Sequence, residues 1–341
     1  MQKYNSLRFI LILFLLGASG CSTQKITNDL KLIPSAHFPR WLSAGKYHTE
    51  QTSGIAFIGK DSLGGKNFLL ADDIGKIHLM KITDDTIFTF TDIKFSDNVI
   101  NYFKDFPKED FEEIVFDPVT GNVYLSVEGN GDEYREYVHI FRLIFKDNNI
   151  YSAYLQDIED LKIEPKEEFL EFTKPNIGFE GMAVDSNNFY LGLENIYGSK
   201  FFGDSTLIYI VDKKNLTIKK SISTAGLGIQ TICGLYSDKN YSLWGVDRNK
   251  RLIFHLTLTS DFDINQFWKT DFIPAIPGYT NIPYVSSAES ICMDDENNIY
   301  IVDDPWYQFY IPPDSVLNQL DEKTVSDFKE FIPVIYKFKK N

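Results

Sequence analysis

Short apolar runs, separated by turns rich in Gly, Asn and Asp, follow one another from about residue 53 to the end of the chain. Their β-branched and aromatic residues are typical of strands. One unit stands out at Gly178–Glu194: an apolar run opened by Glu180, a polar turn, and a second run closed by Glu194. In an antiparallel hairpin the first strand starts beside the end of the second, so these two acids should meet.

The same hairpin occurs five times, with starts 53 to 68 residues apart. A third apolar run follows each copy, and a more polar fourth run usually follows the third. A period of this length with four strands predicts an all-β fold, a single β-propeller of five four-stranded blades. The five hairpins are Ser53–Asp73, Glu112–Glu128, Glu180–Glu194, Cys233–Asp247 and Glu289–Asp304.

The last copy lacks a fourth strand, because the chain stops at Asn341. We expect Lys31–Pro34 to supply it and to close the ring, which removes the exposed sheet edges. A sixth blade made of less regular segments and a pair of β-sandwiches are the alternatives. Helical spacing in Asp314–Phe331, and in part of Asp160–Asn176, predicts short helical insertions over one mouth of the ring.

The N-terminus has the pattern of an export signal, with a basic start and a short apolar run at Phe9–Leu16. That run is too short to span a bilayer, which needs about 20 apolar residues. Small residues directly before Cys21 resemble a bacterial lipobox. We therefore expect a lipoprotein signal over residues 1–20, lipidation of Cys21, a tether over 21–30 and one propeller domain over 31–341, held at the cell envelope facing the periplasm or the outer membrane. An ordinary secretory signal is the alternative.

The chain is acidic, with a formal net charge of −14 that becomes −16 without residues 1–20, which carry two basic and no acidic residues. This balance argues against a nucleic-acid partner, because phosphate binding needs clustered Lys and Arg. It suits a protein that gathers cations, or one kept soluble by self-repulsion. No linker divides the chain, and we expect a monomer. The sequence does not settle whether Cys233 and Cys292 pair.

Equivalent positions in the five hairpins form two columns. The first column, at the entry of the innermost strands, should form a ring at the channel mouth. Carboxylates gathered there would have raised pKa values unless a cation neutralised them. Oxygen ligands without a His/Cys cluster favour Ca²⁺ over zinc, and Mg²⁺ demands tighter geometry. Acids that only bind backbone N–H groups of the next blade are the structural alternative. The first column is Ser53, Glu112, Glu180, Cys233 and Glu289, and the predicted metal ligands are Glu112, Glu180, Glu289 and, from the second column, Glu194.

The second column, at the exit of the second strands, holds Asp72, Glu128, Glu194, Asp247 and Asp303. Structural hydrogen bonding is the main interpretation for it, with Glu194 the best ligand candidate. An aromatic run, Pro305–Tyr310, follows directly, and it could stack a sugar or a lipid head group or seat the helical insertion. The predicted ligand-binding residues are Ser53, Glu128, Asp303, Trp306 and Tyr307.

The phrases GFEGMAVD, DFEEIVFD and SGIAF resemble blade starts of exported propellers of the phytase-like esterase family and the related SdiA-regulated type. The resemblance runs over roughly residues 50 to 305. It implies a propeller with an acidic, calcium-dependent mouth in which Glu112, Glu180 and Glu289 are the mouth acids. The chain departs from the family at Glu113, where Gly is usual, and at Cys233, which replaces an acid.

Two functions from different classes fit these features. One is a Ca²⁺-dependent hydrolase of carboxylic or phosphate esters, in which the ion polarises the ester and activates water. The other is a non-catalytic propeller that holds a small molecule or an envelope protein, with a structural ion. A serine hydrolase is disfavoured, because no GxSxG elbow is present. Few basic residues are expected near the mouth, Arg248 and Lys250 being the nearest, which weakens the phosphoester hypothesis.

Overall fold

The structure, a computed structural model, describes residues 30–196, 203–284 and 286–340. They form five antiparallel sheets, each with four main strands. The innermost strand of each sheet contacts the innermost strand of the next sheet, around a closed ring. The predicted five-bladed propeller is therefore confirmed. Cys21, the export signal and most of the tether lie outside the described residues.

Each blade runs from its innermost to its outermost strand in chain order, except that the outermost strand of blade 5 comes from the N-terminal part of the chain. The strands are Thr52–Lys60, Lys66–Asp72, Lys76–Thr83 and Ile87–Asp92 in blade 1; Phe111–Phe116, Val123–Val127, His139–Phe145 and Tyr154–Asp160 in blade 2; Gly181–Val184, Asn188–Gly192, Leu207–Asp212 and Ile218–Ser223 in blade 3; Gly234–Lys239, Ser242–Asp247, Leu252–Leu258 and Ile264–Asp271 in blade 4; and Ala288–Met293, Asn298–Asp303, Val334–Lys340 and Leu32–Pro34 in blade 5.

The ring closes as the sequence predicts. Leu32–Pro34 pairs antiparallel with the last strand, with Leu32 opposite Lys340 and Pro34 opposite Phe338. The strand Arg40–Trp41 pairs with the beginning of that same last strand. The two ends of the chain thus complete one sheet, in which Leu32–Pro34 covers the outer edge of the last strand.

Several short elements decorate the blades. Lys94–Phe95 adds in parallel to the outer edge of blade 2, and two small hairpins pair Ser43–Ala44 with Tyr47–His48 and Ala275–Ile276 with Tyr279–Pro283. The predicted insertion in blade 5 is confirmed as two helices between its second and third strands. The helices are Asp97–Phe103, Lys166–Phe169, Asp314–Leu317 and Glu322–Lys329. Among the described residues no helix is long and apolar enough to cross a bilayer.

Glycine lets the innermost strands approach closely. A Cβ on Gly54 would lie 2.5 Å from the carbonyl oxygen of Glu112, and one on Gly234 would lie 2.6 Å from the Cα of Ser290. Both contacts are with backbone of the neighbouring blade, which cannot move aside cheaply. The same position carries Gly181 in blade 3 but Glu113 in blade 2.

The Glu113 side chain crosses the central channel. Its carboxyl accepts hydrogen bonds from the backbone N–H of Leu235 in blade 4 (3.4 Å) and from the hydroxyl of Ser290 in blade 5. Blade 2 adjoins only blades 1 and 3 in the ring, so these contacts span the axis. Ser290 in turn accepts from the N–H of Ile55 in blade 1, at 3.0 Å. One buried acid therefore ties blades 1, 2, 4 and 5 together.

This crossing divides the channel into two cavities. Glu112 lines a cavity of about 460 Å³ at the end that carries the acid columns, whereas Ile114 lines a second one of about 440 Å³ at the other end. Glu113 itself is fully buried between them. Burial raises the pKa of its carboxyl well above the ordinary value, against the lowering effect of Ser290 and of the backbone N–H groups. Burial therefore favours the protonated, neutral form of this carboxyl.

We predict that Glu113→Gln and Glu113→Ala distinguish the contribution of the cross-channel hydrogen bonds to stability from the effect of ionisation of the carboxyl. Gln keeps the cross-channel contacts, whereas Ala leaves buried donors unpaired and should lower the free energy of unfolding by about 2–4 kcal/mol. The raised pKa means that the folded protein holds this proton while the unfolded chain has lost it, so wild-type stability falls as pH rises above the unfolded value of about 4.5. Denaturant unfolding from pH 5 to 9 measures both effects.

The free energy of unfolding of Glu113→Gln should increase relative to that of the wild type as pH rises, because the amide does not ionise. If the Gln and Ala variants lost the same free energy of unfolding at every pH, the hypothesis of a neutral Glu113 that bridges the blades would be contradicted.

Candidate functional site

A cavity at the acid-bearing mouth of the ring gathers most of the residues that the sequence singles out. It lies at the entry of the innermost strands and the exit of the second strands, as expected for antiparallel hairpins arranged around an axis. The predicted residues that line it are Ser53, Glu112, Glu128, Glu180, Glu194, Glu289 and Trp306.

Arg248 supplies positive charge to half of this ring. It directly follows the second strand of blade 4, and its guanidinium pairs with Glu289 of blade 5 (2.5 Å), with Glu180 of blade 3 (3.2 Å) and with Glu194. Burial raises the pKa of Glu180 well above its usual value, and Arg248 opposes that rise. The same two causes act on Glu289. A side chain of the protein thus does part of the neutralisation that the sequence assigns to a metal ion.

Glu112 and Glu128 have no such partner. Neither makes an ion pair within the part of the chain that the structure describes. Burial raises the pKa of both carboxyls well above the ordinary range, and repulsion from Asp110 raises each further. In addition, Oε1 of Glu128 and Oε2 of Glu180 are buried without a hydrogen-bond partner. Buried polar atoms are rarely left unpaired, so these two oxygens point to a missing ligand.

The carboxylates are close enough to share an ion. One oxygen from each of Asp110, Glu112 and Glu128 lies within 4.8 Å of the others, and so does one from each of Glu128, Glu180 and Glu194. Ca²⁺ binds oxygen at 2.3–2.6 Å, so two of its ligands are at most about 5 Å apart. Glu128 belongs to both groups. A third group, Glu180, Cys233 and Glu289, adds a thiol.

Lys108 borders the mouth on the side of blade 1. It pairs with Asp73 at 3.0 Å and with Asp110. The amide of Asn130 also donates to Asp110, at 2.6 Å. Burial raises the pKa of Asp73 to about 6 despite the lysine. Asp110 is therefore held in place for the neighbouring Glu112 and Glu128 by one cation and one amide.

Two predicted ligand-binding residues lie elsewhere. The Asp303 carboxylate accepts from the N–H of Val334 (2.5 Å) and from the hydroxyl of Ser286 (2.8 Å), so it joins strands of blade 5 and does not line the cavity. Tyr307 stacks edge-on against Phe331, with ring centroids 4.3 Å apart, and is also outside the lining. Asp303 therefore has the structural hydrogen-bonding role that the sequence predicts for most residues of the second column.

The mouth includes acids that the two columns of equivalent positions leave out. Asp73 and Asp304 line the cavity, whereas Asp72 and Asp303, directly before them, bind groups of their own blades. Successive residues of a strand point to opposite sides, so in each Asp-Asp pair the second acid faces the mouth. The doublets at 72–73 and 303–304 are the sequence signal that could have identified them.

Cys233 and Cys292, the cysteines within the described residues, form no disulfide; both are free and buried. Burial is the main cause that raises the pKa of the Cys233 thiol well above its ordinary value. A protonated thiol is a poor nucleophile, so Cys233 does not supply covalent chemistry in this arrangement.

Comparison with known proteins finds only distant structural similarity. No protein-family model and no curated protein sequence matches the chain. Among solved structures it is similar to the WD40 β-propeller domain of Doa1 (8% identity, 89% of this chain and 98% of that one, TM-score 0.42). It is also similar to the PQQ-bound aldose sugar dehydrogenase of Streptomyces coelicolor (10%, 93% and 100%, 0.46) and to the gluconolactonase XC5397 of Xanthomonas campestris (9%, 93% and 99%, 0.40). Similarity at this level carries nothing about the chemistry of the mouth.

We predict that Arg248→Met destabilises the fold in a pH-dependent way. The variant leaves Glu180, Glu194 and Glu289 without their shared cation, which should cost roughly 2–4 kcal/mol at pH 8. Without the arginine the pKa values of Glu180 and Glu289 rise further, so the folded state keeps protons that the unfolded chain loses, and stability falls more steeply with pH than in the wild type. Urea unfolding at pH 5 and pH 8 measures the difference.

Lys250→Met is the matched control, because Lys250 is an exposed base two residues away that makes no ion pair within the described chain. It should change stability by less than about 0.5 kcal/mol. An Arg248 variant no worse at pH 8 than at pH 5 would rule out the role of counter-ion.

Proposed function

We propose that the mouth binds Ca²⁺ through Asp110, Glu112 and Glu128 and that the protein is a calcium-dependent hydrolase of carboxylic esters. The observation that carries this proposal is a pair of buried carboxylates, Glu112 and Glu128, that make no ion pair within the described chain; Lys108, the nearby base, pairs with Asp73 and Asp110 instead. Two buried carboxylates side by side are costly unless they are protonated or bind a cation.

The ligand set favours calcium over other divalent ions. All three donors are carboxylates, and no histidine lines the cavity among the described residues. Oxygen-only sites suit Ca²⁺ and Mg²⁺, and an irregular set of side chains from a strand and the loops beside it suits the more flexible coordination of Ca²⁺. Of the ligands predicted from the sequence, Glu112 stays in this set, whereas Glu180, Glu194 and Glu289 share Arg248.

The charge of the cavity favours a neutral substrate. Eight acids and two bases line it, so even with Ca²⁺ bound the lining would repel a phosphate dianion wherever those acids are ionised. Carboxylic esters carry no such charge. This is why we place carboxylic esters before phosphoesters.

Glu180 is positioned to act on the water that hydrolysis requires. Glu180 lines the cavity; one of its oxygens is held by Arg248, and the other, Oε2, is buried without a hydrogen-bond partner. A bound Ca²⁺ would polarise the ester carbonyl. The free oxygen of Glu180 takes a proton from water as the water oxygen bonds to the acyl carbon; the acyl–oxygen bond then breaks, and Glu180 returns the proton to the departing alkoxide.

A non-catalytic function is the second candidate, and Arg248 is the observation that favours it. An arginine that already neutralises three ring acids can be the device that holds blades 3, 4 and 5 together. In that case a calcium ion beside Glu128 would be structural, and the mouth would bind a small molecule or an envelope protein without turnover.

We predict that Glu128→Gln and Glu180→Gln separate ion binding from catalysis. In the wild type, millimolar Ca²⁺ should raise the melting temperature relative to chelator, since the ion binds only the folded state. Glu128→Gln should lose that shift. Glu180→Gln should keep most of it but lose at least about 100-fold in hydrolysis of a chromogenic ester panel.

Glu133→Gln is the charge-matched control, since Glu133 is an exposed acid on the loop after the second strand of blade 2 that does not line the cavity. Glu133→Gln should change neither the calcium-induced shift in melting temperature nor the rate of ester hydrolysis. A calcium shift without turnover in the wild type would favour the binding function, and no calcium shift at all would sink the metal site.

We also propose that the protein is held at the cell envelope by lipid on Cys21. The first described residues support an orientation for it: Leu32 pairs with Lys340, at the end of the last strand opposite the mouth. A tether of roughly ten residues, at most about 35 Å long when extended, would therefore leave the mouth facing away from the membrane.

Cys21→Ser tests the anchor. We expect the wild type, expressed in a bacterium with its signal, to partition into the detergent phase of Triton X-114, because acyl chains bind detergent. The Ser variant should move to the aqueous phase. Equal partition of the two proteins would contradict lipidation.

A further inference from the structure

A side pocket opens from the mouth cavity. It has a volume of about 90 Å³ and shares Arg248, Ser287, Asp304 and Trp306 with the main cavity. Two further aromatic residues, Phe309 and Tyr310, line it. Anything bound at the mouth carboxylates therefore has a continuous path to an aromatic wall.

That wall is held in a fixed shape by its own loop. The N–H of Trp306 donates to the carbonyl of Asp304 (2.8 Å), and the N–H of Phe309 donates to the carbonyl of Trp306 (2.9 Å). The Trp306 and Phe309 rings meet at an angle, with centroids 4.8 Å apart. Tyr310 is buried and donates its hydroxyl hydrogen to the carbonyl of Ile332. The rings are thus presented by tight turns anchored on the blade 5 insertion.

The wall is apolar and only partly covered. Trp306 is 37% exposed and Phe309 is 56% exposed, although each could bury most of its area in a core. The partly buried Arg248 side chain lines both cavities. Cations are attracted to the faces of aromatic rings, so a ring entering the side pocket meets both stacking partners and a positive charge.

We infer that the side pocket receives an aromatic ring of the substrate, which makes aryl or benzyl-type esters and aromatic acyl esters the preferred class. This inference rests on the proposed ester hydrolase. An aromatic ring fits better than the alternatives, because the pocket is too small for a long alkyl chain. Arg248, Asn249, Ser286, Ser287 and Asp304 also border it, but most of the surface that it exposes is apolar, which disfavours a sugar. Trp306 is the specificity-determining residue.

The test compares two neutral amides as unreactive ester mimics, benzamide and acetamide, titrated by ligand-observed NMR against the full-length protein with Ca²⁺ and with chelator. In the wild type with Ca²⁺ we expect benzamide to bind at least about tenfold more tightly, the effect of burying one ring. Trp306→Ala should reduce the preference to less than about threefold, and Trp306→Phe should restore most of it.

Tyr307→Ala is the matched control, because Tyr307 is an exposed aromatic residue next to Trp306 that lines neither cavity. It should keep the wild-type preference. Equal binding of the two amides by the wild type, or an undiminished preference in Trp306→Ala, would overturn the inference. A ring preference that depends on Trp306 but is the same in Ca²⁺ and chelator would support the side pocket and count against the calcium-dependent function, so the two failures are distinguishable.

Discussion

Carboxylates that converge on one axis and lose contact with water set the main constraint on this molecule. Rotational repetition brings an acid from several blades to the same mouth, and burial raises the pKa values of Glu112, Glu128 and Glu180. The chain offsets part of this cost with Arg248 on one side and Lys108 on the other. Between those two cations lie the carboxylates without a counter-ion, and that is where the proposed cation belongs.

The opposite solution is used one residue deeper in the channel. Glu113 is also buried, but its carboxyl accepts hydrogen bonds from Ser290 and Leu235, and burial raises its pKa and so favours the neutral form. It closes the bottom of the mouth cavity and ties distant blades together. Glu112 and Glu113 are adjacent in one strand but lie in different surroundings, because successive side chains of a strand point to opposite sides. Glu112 lines the mouth cavity beside Asp110 and Glu128, whereas Glu113 points into the interior of the ring and lines neither cavity.

The sequence predicts what repeats, and it misses what does not. Hairpins of one pattern suffice to predict five blades, closure by Lys31–Pro34 and the acid-bearing mouth, because each copy obeys the same strand chemistry. Single-copy features escape it: Arg248 reaches three acids through a long side chain, and Asp110 lies just outside the aligned hairpin. The alignment predicts Asp303 as a ligand-binding residue, because a shared position in the repeats does not reveal whether a carboxylate accepts hydrogen bonds from its own blade, as Asp303 does from Val334.

The central claim is that a cation occupies the space between Glu112 and Glu128. An anomalous difference map from crystals grown with Ca²⁺, recorded at long wavelength, tests it most directly. The account predicts one strong peak with oxygens of Asp110, Glu112 and Glu128 at about 2.3–2.6 Å. A map with no peak at the mouth, while Arg248 keeps its three carboxylate partners, would contradict it.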